Sequence, residues 1–482
     1  MKRWLSLLLA ALILLTSACF AEGAITVFRE GQGMPDPEDD AILPGIKKAM
    51  GCDVEWTVVS AEYATQLNVR LAGDNIPNLF QVDYNMAPTY IRQGLLLNIE
   101  PYLDKMPNFV ANYSESALEN CYMNGGMYLI AARPYIAYAD YSIRQDWLDN
   151  LGLKMPQTLD ELYDVLYAFT YNDPDGNQKD DTYGLTGRGL SAFNIVFRAF
   201  GTTQPGSFLI ENGSVVYSST DPDMKSAIEF IQKLIDAGVV DPEVITNQSM
   251  EHRDKAISGY AGVLACTFWD IFKQTYMDQA LAICPTAHWE LLPGVEGPGG
   301  RWDVQYDSTN APSYFGVDAE LENDPEQLDK VLRLLDFLCT PETGHRLTLF
   351  GQEGVHYELD AEGNVVPLEK LSEITYSFNY TICGRDDLPY LKTKFGYLSR
   401  QIEQCGAMKC LPIYNSKTKV PDEVNLSDIE TYADEEITRF IYGERSLDEW
   451  DAYVETMNNV YGLSVYMESA RNDLIRAGLI AE

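Results

Sequence analysis

Histidine is scarce in this 482-residue chain, and the motifs of the common hydrolase and nucleotide-binding sites are missing. The four histidines are His252, His288, His345 and His356, and none belongs to an HExxH motif or to another short zinc-ligand spacing. The sequence also lacks GxSxG and a Walker A motif, and the turn GQGMPD that begins at Gly31 lacks the third glycine of a dinucleotide fingerprint. These absences argue against a zinc hydrolase, a serine hydrolase and a nucleotide-binding enzyme.

Basic side chains are also in short supply. The chain has 35 Lys and Arg against 72 Asp and Glu, which gives a formal net charge of −37. A surface of this sign repels phosphate backbones, so nucleic acid is excluded as a partner and anionic ligands are disfavoured. Most of these charges are equally explained as a means of keeping a secreted protein soluble.

Dense cysteine spacing, internal repeats and low-complexity stalks are all missing. Apart from Cys19, the eight cysteines are scattered, and the nearest pair, Cys405 and Cys410, fits no CxxC pattern. A disulfide scaffold is therefore not indicated, and buried free thiols are expected at Cys266 and Cys339, which lie in apolar segments. An adhesin or structural surface protein would show the repeats that this chain lacks.

No later segment approaches the ~18 uninterrupted apolar residues of a membrane-spanning helix, but the N-terminus carries a shorter apolar run. Lys2 and Arg3 precede the run at 4–15, and small residues then lead to Cys19. This order predicts a secretory signal over 1–21, either of the lipoprotein type, with Cys19 lipidated, or cleaved after Ala21. We expect an extracytoplasmic protein held to the membrane by a lipid anchor only.

The acidic loop YNDPDGNQKDDTYG at 171–184 has the ligand spacing of a calcium site. Asp173, Asp175, Asn177 and Asp181 occupy its first, third, fifth and ninth positions, and Lys179 offers a carbonyl at the seventh. Calcium takes six to eight oxygens from a chain that turns tightly around it, and this spacing supplies most of them. The loop therefore predicts a structural Ca²⁺ ion.

Two positions of the same loop depart from a complete EF-hand pattern. Gln178 stands where glycine is usual at position six, and Gly184 stands where a bidentate Glu is usual at position twelve. A distant side chain or water would have to complete the ligand shell. The alternative is an acidic turn without an ion, because Asp, Asn, Pro and Gly are also the residues that turns select.

Strand and helix patterns alternate along the chain. Strands are expected at ITVF (25–28) and VEWTVV (54–59), and helices after Thr158, after Asp221-Pro222 and after Asp324-Pro325. Alternation of this kind predicts an α/β fold with mainly parallel sheets and helices on both faces. The absence of a linker favours two α/β lobes in close association.

Four segments resemble the family 1 extracellular solute-binding proteins of ABC importers, in particular the LipO-like lipoprotein subgroup. They stand in family order: RQDWLDNLGLKMPQTLDEL at 144–162, ENGSVVYSSTDPDMKSAIEFIQKLIDAGVVDPE at 211–243, GYAGVLACTFW at 259–269 and FIYGERSLDEWDAYVETMNNVYGL at 440–463. The larger lipoprotein members commonly carry a calcium loop where the acidic loop lies, although they often have a further carboxylate where this chain has Thr182.

The resemblance implies a periplasmic-binding-protein-like fold with two α/β lobes, a hinge and an interlobe ligand cleft, of the maltose-binding-protein type. The first lobe would hold 24–136 plus 289–355, and the second 137–288 plus 356–482. It further implies a monomer that captures a carbohydrate, most simply an oligosaccharide, by lobe closure and delivers it to the transmembrane subunits of an ABC permease.

In such a fold the ligand lies at the carboxyl ends of strands from both lobes. Aromatic faces and planar polar groups suit sugars, so the candidate ligand-binding residues are Trp269, Asp270, Arg29, Glu30, Asp83, Tyr84, Arg133, Tyr135 and Tyr314. Each is also open to a plainer reading as a core, surface or hinge residue. No catalytic residue is expected; the alternatives are a secreted carbohydrate-active hydrolase or a binding protein for another solute, such as a peptide.

Overall fold

The computed structural model describes residues 23–73, 75–84, 86–113, 118, 121–132, 137–307, 313–383, 388–421 and 423–481. The predicted signal segment with Cys19, and the candidate residues Arg133 and Tyr135, lie outside the described residues. The chain divides into two compact units. The first comprises Met1–Tyr135 with Ala311–Lys394, and the second Ile136–Asn310 with Phe395–Glu482.

The described residues form short strands, numbered here in chain order. They are β1 Ile25–Glu30, β2 Val54–Val59, β3 Leu79–Val82, β4 Tyr122–Met123, β5 Gly126–Met127, β6 Ile130–Ala131, β7 Tyr141–Arg144, β8 Tyr183–Thr186, β9 Phe208–Glu211, β10 Ser214–Tyr217, β11 Ala261–Ala265, β12 Trp289–Leu291, β13 Val304–Tyr306, β14 Tyr314–Val317, β15 Tyr357–Leu359, β16 Val365–Pro367 and β17 Cys410–Pro412.

The α-helices are interspersed with these strands and are numbered in the same way. They are α1 Leu43–Met50, α2 Tyr63–Leu71, α3 Ala87–Arg92, α4 Pro107–Asn112, α5 Gln145–Leu151, α6 Leu159–Tyr171, α7 Asn194–Ala199, α8 Pro222–Asp236, α9 Glu251–Ile257, α10 Phe268–Phe272, α11 Gln274–Ile283, α12 Pro325–Leu338, α13 Arg346–Phe350, α14 Leu388–Lys394, α15 Ser399–Gly406, α16 Leu426–Ile441, α17 Trp450–Asn459 and α18 Leu463–Arg476.

The three helices expected from capping signals are confirmed. Thr158 accepts a hydrogen bond from the Glu161 N–H at 3.2 Å, although the Glu161 carboxylate reaches back to the N–H of Gln157 and not to that of Thr158. Asp221 caps α8, and Asp324 caps α12. The apolar stripe of each helix faces a core, and α8 ends just before Gly238, whose φ of +66° is the left-handed conformation that glycine adopts freely.

The main sheet of the first unit has, within the described residues, five strands in the order β2-β1-β3-β14-β6. Strands β2, β1 and β3 are parallel, whereas β14 is antiparallel to both β3 and β6. The register sets Tyr314, the first residue of β14, opposite Val82 and Ala131. The start of β14 therefore lies at the same edge as the carboxyl ends of β1, β3 and β6.

The main sheet of the second unit has, over the part of the chain described, the order β12-β7-β11-β8. Here β8 and β11 are parallel, and β7 is antiparallel to β11 and β12. Ala265, at the end of β11, pairs with Tyr141 at the start of β7. Residues just after β11 and just before β7 therefore meet at one edge. Helices α6, α8, α16 and α17 contribute buried apolar side chains to the core of this unit.

The α/β fold class is confirmed, but the sheets are mixed where mainly parallel sheets were expected. The antiparallel strands β7 and β14 are the first strands of the chain after it passes into the second unit and back into the first. A strand that follows such a passage is not part of a continuous strand–helix–strand repeat, so the handedness rule for parallel crossovers does not fix its direction.

The unit boundaries fall later in the chain than predicted at two of three places. The first passage, at 135–136, lies one residue before the predicted one, but the second and third lie at 310–311 and 394–395, where 288–289 and 355–356 were expected. Residues 289–291 stay with the second unit because β12 pairs with β7. Residues 377–381 stay with the first unit because their carbonyls accept hydrogen bonds from Arg29 of β1.

The eight cysteines among the described residues are free thiols, and Cys266 and Cys339 are buried as expected. Among the helices that the structure describes, none combines the length and the apolar character needed to cross a bilayer.

Candidate functional site

The carboxyl edge of the first unit's sheet brings four of the candidate ligand residues together. Glu30 is the last residue of β1, Asp83 and Tyr84 follow β3, and Tyr314 begins β14. The rings of Tyr84 and Tyr314 lie 4.9 Å apart at an interplanar angle of 41°. Tyr314 is buried, Tyr84 is half-buried, and Glu30 and Asp83 are exposed. The Tyr314 ring thus packs against that of Tyr84, and the side chains of Glu30, Asp83 and Tyr84 are accessible to solvent.

Arg29, also a candidate ligand-binding residue from the sequence, makes its hydrogen bonds within the first unit. Its Nη1 donates hydrogen bonds to the carbonyls of Phe378, Asn379 and Thr381 at 3.0, 3.1 and 3.2 Å. The guanidinium also lies 5.5 Å from the ring centroid of Phe315. The side chain is buried, so these charge-assisted bonds to three carbonyls give it a structural function: they hold the 377–381 segment against β1.

Trp269 lies at the corresponding edge of the second unit, but not at the end of a strand. Strand β11 ends at Ala265, and Trp269 stands in the first turn of α10. The sequence pattern GVLACTF favours a strand that continues to Trp269, but the chain leaves the sheet earlier: Thr267 is extended, and the Phe268 N–H donates to the Ala139 carbonyl at 2.9 Å.

Three aromatic rings surround the Trp269 indole. Tyr138 contacts it edge-on at 5.5 Å between centroids, Phe268 at 4.8 Å, and Phe395 at 4.9 Å. Trp269, Tyr138 and Phe395 are half-buried, whereas Phe268 is fully buried. We name these four residues the aromatic cluster. It is an apolar surface that remains partly open to solvent at the carboxyl edge of the sheet, as a site for the flat face of a sugar ring requires.

Carboxylates flank the aromatic cluster. Asp270 accepts a hydrogen bond from the Thr267 hydroxyl at 2.8 Å and is half-buried. Asp140 forms a bidentate ion pair with the fully buried Arg198, at 2.7 and 2.8 Å, while its own side chain stays 31% exposed. The guanidinium fixes the plane of the Asp140 carboxylate, and that carboxylate retains accessible lone pairs for hydroxyl groups.

A thiol and an imidazole complete the surroundings of this edge. Burial, with Asp270 and Asp140 nearby, raises the pKa of the Cys266 thiol well above its ordinary value, so the thiol is neutral and unreactive. Burial lowers the pKa of His252, although Asp270 acts in the opposite direction. Both groups are therefore uncharged at neutral pH, and the charges near them are the carboxylates together with Arg188 and Arg253, which also lower the pKa of His252.

Sequence reasoning missed Tyr138, Asp140 and Phe395. Tyr138 and Asp140 immediately precede β7, and an aromatic residue and an acid at a strand start could have been flagged if the antiparallel direction of β7 had been foreseen. No local sequence pattern marked Phe395 as a site residue, because it comes to lie beside Trp269 only where the chain passes between the units for the third time, at 394–395.

The acidic loop joins α6 to β8 and curls as a cation-binding loop would. Asp173 Oδ2 accepts from the Gln178 N–H at 3.0 Å, and Asn177 Oδ1 accepts from the Lys179 N–H at 2.8 Å. Gln178 has a φ of +63°, so it keeps the left-handed backbone conformation that glycine usually provides at this position. A residue with a side chain is strained in that conformation.

The donor set of the loop fits a cation. Asn177 Nδ2 lies between two carboxylates, 2.8 Å from Asp175 Oδ2 and 3.2 Å from Asp181 Oδ1, where its partial positive charge stands in for that of an ion. Asp173 Oδ1 is buried and has no hydrogen-bond partner among the residues that the structure describes. Burial raises the pKa of Asp175, and the Asp173 and Asp181 carboxylates raise it further, which a bound cation would reverse.

Residues 36–343 match the protein family described as bacterial extracellular solute-binding protein. Among curated proteins, the lipoprotein LipO of Bacillus subtilis is 28% identical over 391 residues, which cover 77% of this chain and 76% of LipO. FusA of Streptococcus pneumoniae, named a fructooligosaccharide ABC transporter substrate-binding protein, is 23% identical over 490 residues, covering 90% of this chain and 86% of FusA.

Solved structures show the same fold. A solute-binding protein of Bifidobacterium longum infantis, described as HMO binding and ABC-transporter associated, aligns with a TM-score of 0.68 and 20% identity over 93% of this chain and 98% of its own. A FusA structure described as an EF-hand mutant in complex with fructo-nystose aligns with a TM-score of 0.65 and 19% identity over 94% and 100% of the two chains. These two proteins are named as binding proteins and not as enzymes.

Proposed function

The chain belongs to the bacterial extracellular solute-binding protein family, and we propose that it captures a carbohydrate, an oligosaccharide in particular, for an ABC importer. The observation that carries the choice of ligand is the aromatic cluster around Trp269. Three of its four rings, those of Trp269, Tyr138 and Phe395, are half-buried beside Asp140 and Asp270, which combines apolar faces with hydroxyl-binding carboxylates.

Each unit has its own set of candidate contacts. In the second unit, Trp269, Tyr138 and Phe395 would stack on sugar rings, and Asp140 and Asp270 would accept hydrogen bonds from hydroxyl groups. In the first unit, Glu30, Asp83 and Tyr84 would bind, with Tyr314 as support. Arg133 and Tyr135 remain proposed ligands on sequence grounds, and Arg29 acts first as a structural residue.

The charge of the chain narrows the class of sugar. The formal net charge is −37, and the candidate contacts at both edges are carboxylates and aromatics, with Arg188 and Arg253 close enough to the second unit's edge to affect the pKa of His252. Carboxylates accept hydrogen bonds from neutral hydroxyl groups but repel uronic acids and sulfates. The proposal is therefore a neutral oligosaccharide. The FusA and Bifidobacterium relatives, whose names refer to fructooligosaccharide and to HMO, support a carbohydrate.

A glycan screen with purified protein, followed by isothermal titration calorimetry on the best ligand, tests this proposal. We expect a reversible complex of one ligand per chain and a shift in tryptophan fluorescence. Trp269→Ala should weaken binding at least about tenfold, because stacking and buried apolar area are lost together. Tyr167→Ala is the matched control: it removes an exposed ring from α6 in the same unit and should leave affinity unchanged.

The same screen separates the alternatives. Chromatography of the ligand after long incubation should recover it intact, whereas cleavage of the glycan would establish a hydrolase. Binding of peptides with no binding of any glycan would establish a carrier of another solute. Equal affinity of Trp269→Ala and the parent for a glycan would place the site elsewhere.

We further propose a structural Ca²⁺ in the acidic loop, held by the side chains of Asp173, Asp175, Asn177 and Asp181 and by the Lys179 carbonyl. The ion would neutralise the crowded carboxylates and fix the connection from α6 to β8. The chain would act as a monomer, anchored outside the cytoplasm through a lipid on Cys19, and would deliver its ligand to the permease subunits.

A further inference from the structure

Three carboxylates meet at the start of α8, away from the acidic loop at 173–181. Glu211 ends β9, Asp221 is the N-cap of α8, and Asp223 lies in its first turn. One ligand oxygen from each lies within 4.8 Å of the other two, and among the described residues this is the group of three acidic side chains with such spacing. In the β9–β10 hairpin Glu211 pairs with Ser214 of β10. Strand β10 ends at Tyr217, shortly before α8 begins, so the hairpin places Glu211 near the start of that helix.

Helix capping and interaction with the helix dipole account in part for Asp221 and Asp223. Asp221 Oδ1 accepts a hydrogen bond from the Asp223 N–H at 2.9 Å, and both acids favour the positive end of the helix dipole. Neither effect explains why Glu211, the last residue of β9, lies beside them. They also leave Asp221 Oδ2 unexplained, because this residue is only 2% exposed and that oxygen has no hydrogen-bond partner of good geometry among the described residues.

Thr202 supplies an independent observation. Its side chain is fully buried, and within the described part of the chain its hydroxyl also has no hydrogen bond of good geometry. Burial raises the pKa of Asp221, whereas the Asp223 N–H and the adjacent Thr202 hydroxyl act in the opposite direction, which places that hydroxyl beside the Asp221 carboxylate. A hydroxyl this close to a carboxylate interacts with it, but neither oxygen has a well-formed hydrogen bond among the described residues, and a cation shared by the two would satisfy both.

The local charge is also uncompensated. None of the three carboxylates forms an ion pair within the part of the chain that the structure describes. Burial raises the pKa of Glu211 to about 7, and the nearby Asp221 and Asp223 contribute in the same direction. Carboxylates crowded in this way are relieved by a cation that they share.

We propose that Glu211, Asp221 and Asp223 bind a hard divalent cation, with the Thr202 hydroxyl as a further oxygen ligand. The ligand set is all oxygen, which suits Ca²⁺, Mg²⁺ or Mn²⁺ and not the thiol- and imidazole-preferring metals. The oxygens lie within 4.8 Å of one another, close enough to share one ion, and Ca²⁺ is the first cation to test because it accepts irregular sets of carboxylate and hydroxyl oxygens. The ion would tie the β9–β10 hairpin to the start of α8.

Calorimetric titration of Ca²⁺ into the purified chain tests this site separately from the acidic loop. In a background of Asp175→Asn and Asp181→Asn, which removes two loop ligands, the protein should still bind one Ca²⁺. Glu211→Gln or Asp223→Asn in that background should weaken this binding at least tenfold. Glu229→Gln, an exposed acid on α8 outside the cluster, should leave it unchanged.

A melting experiment in EDTA shows whether a variant has lost only metal binding or has lost its fold. In EDTA, Glu211→Gln should melt at or above the temperature of its parent, because the variant removes a repulsive charge. The proposal is overturned if the loop-deficient background binds no Ca²⁺, Mg²⁺ or Mn²⁺, or if Glu211→Gln and Asp223→Asn bind as tightly as Glu229→Gln. Sugar affinity is not the readout, so this result is independent of the proposed transport function.

Discussion

At the scale of single residues, Asp318 is a carboxyl group that the fold places in an unfavourable environment for its charge. It follows β14 and caps a short 3₁₀ turn, accepting the Glu320 N–H at 3.0 Å, and it is buried. Burial raises the pKa of Asp318 to about 6; the hydrogen bond from the Glu320 N–H acts in the opposite direction, and the charge of the Glu320 carboxylate adds to the rise. Since the pKa of an aspartate in the unfolded chain is about 3.9, the folded state binds this proton more tightly than the unfolded state does.

The sign of the resulting pH dependence follows from linkage. A folded pKa above the unfolded one gives stability that is fully present below about pH 4 and is lost as pH rises through about 6. Asp318→Asn keeps an oxygen for the cap and removes the charge. We therefore expect the variant to melt about 2–4 °C above the parent at pH 7.5, with the difference vanishing near pH 4.

Differential scanning fluorimetry across this pH range measures the effect. Asp324→Asn, the same change at the exposed N-cap of α12, is the control and should show no such crossover. A stabilisation by Asp318→Asn that persisted unchanged at pH 4, or a loss of stability at pH 7.5, would show that the charge of Asp318 is not the cause.

How far single residues can be predicted from the sequence is clear from Trp269. Its place at the carboxyl edge of a sheet follows from the strand pattern that precedes it, and its indole lies there. Its neighbours could not be foreseen, because Tyr138 arrives through an antiparallel strand and Phe395 through a late passage of the chain. Contacts between residues distant in sequence carry no local pattern.

At the scale of elements, the acidic loop should act as a structural support for the second unit. It connects α6 to β8, where a bound ion would replace carboxylate repulsion by attraction. An ion at about 100 times its Kd stabilises the folded state by about 2.7 kcal/mol, or about 5–10 °C in Tm for a unit of this size. Chelation should therefore lower the melting temperature and leave ligand affinity nearly intact in protein that stays folded.

The loop and the cluster at the start of α8 would both respond to EDTA, so variants must separate them. Asp175→Asn should remove part of the Ca²⁺-dependent stabilisation, while Asp180→Asn, an acid of the same loop that the proposed ligand set does not use, should retain it. If EDTA abolished sugar binding without unfolding the protein, the loop would be part of the binding function and not a support.

Elements with their own capping signals were predictable, and pairings between elements were less so. Asp221-Pro222 and Asp324-Pro325 each start a helix through local hydrogen bonds that the sequence displays. The direction of β7 and β14 depends on where the chain enters a unit, which no local propensity records. The predicted boundaries at 288–289 and 355–356 differ from the structure for the same reason: β12 and the 377–381 segment are assigned by their partners.

At the scale of the whole molecule, the proposed lipid on Cys19 decides where the protein works. Strand β1 begins six residues after Cys19, so at about 3.3–3.6 Å per residue the first unit would start within about 20 Å of the membrane surface. Electrostatic attraction cannot hold it there, because a chain of net charge −37 is repelled by anionic headgroups. Two acyl chains of a diacylglyceryl group suffice for stable anchoring.

Cell fractionation distinguishes this anchor from cleavage after Ala21. We expect the parent protein to remain with membranes in 1 M salt, which screens charge, and to be released by detergent, which dissolves acyl chains. Cys19→Ser should abolish the membrane-bound form, while Cys52→Ser, a free thiol in the first unit, should leave it unchanged. Mass spectrometry that found a mature N-terminus at Glu22 would show that the segment through Ala21 is removed and that the protein is not lipid-anchored.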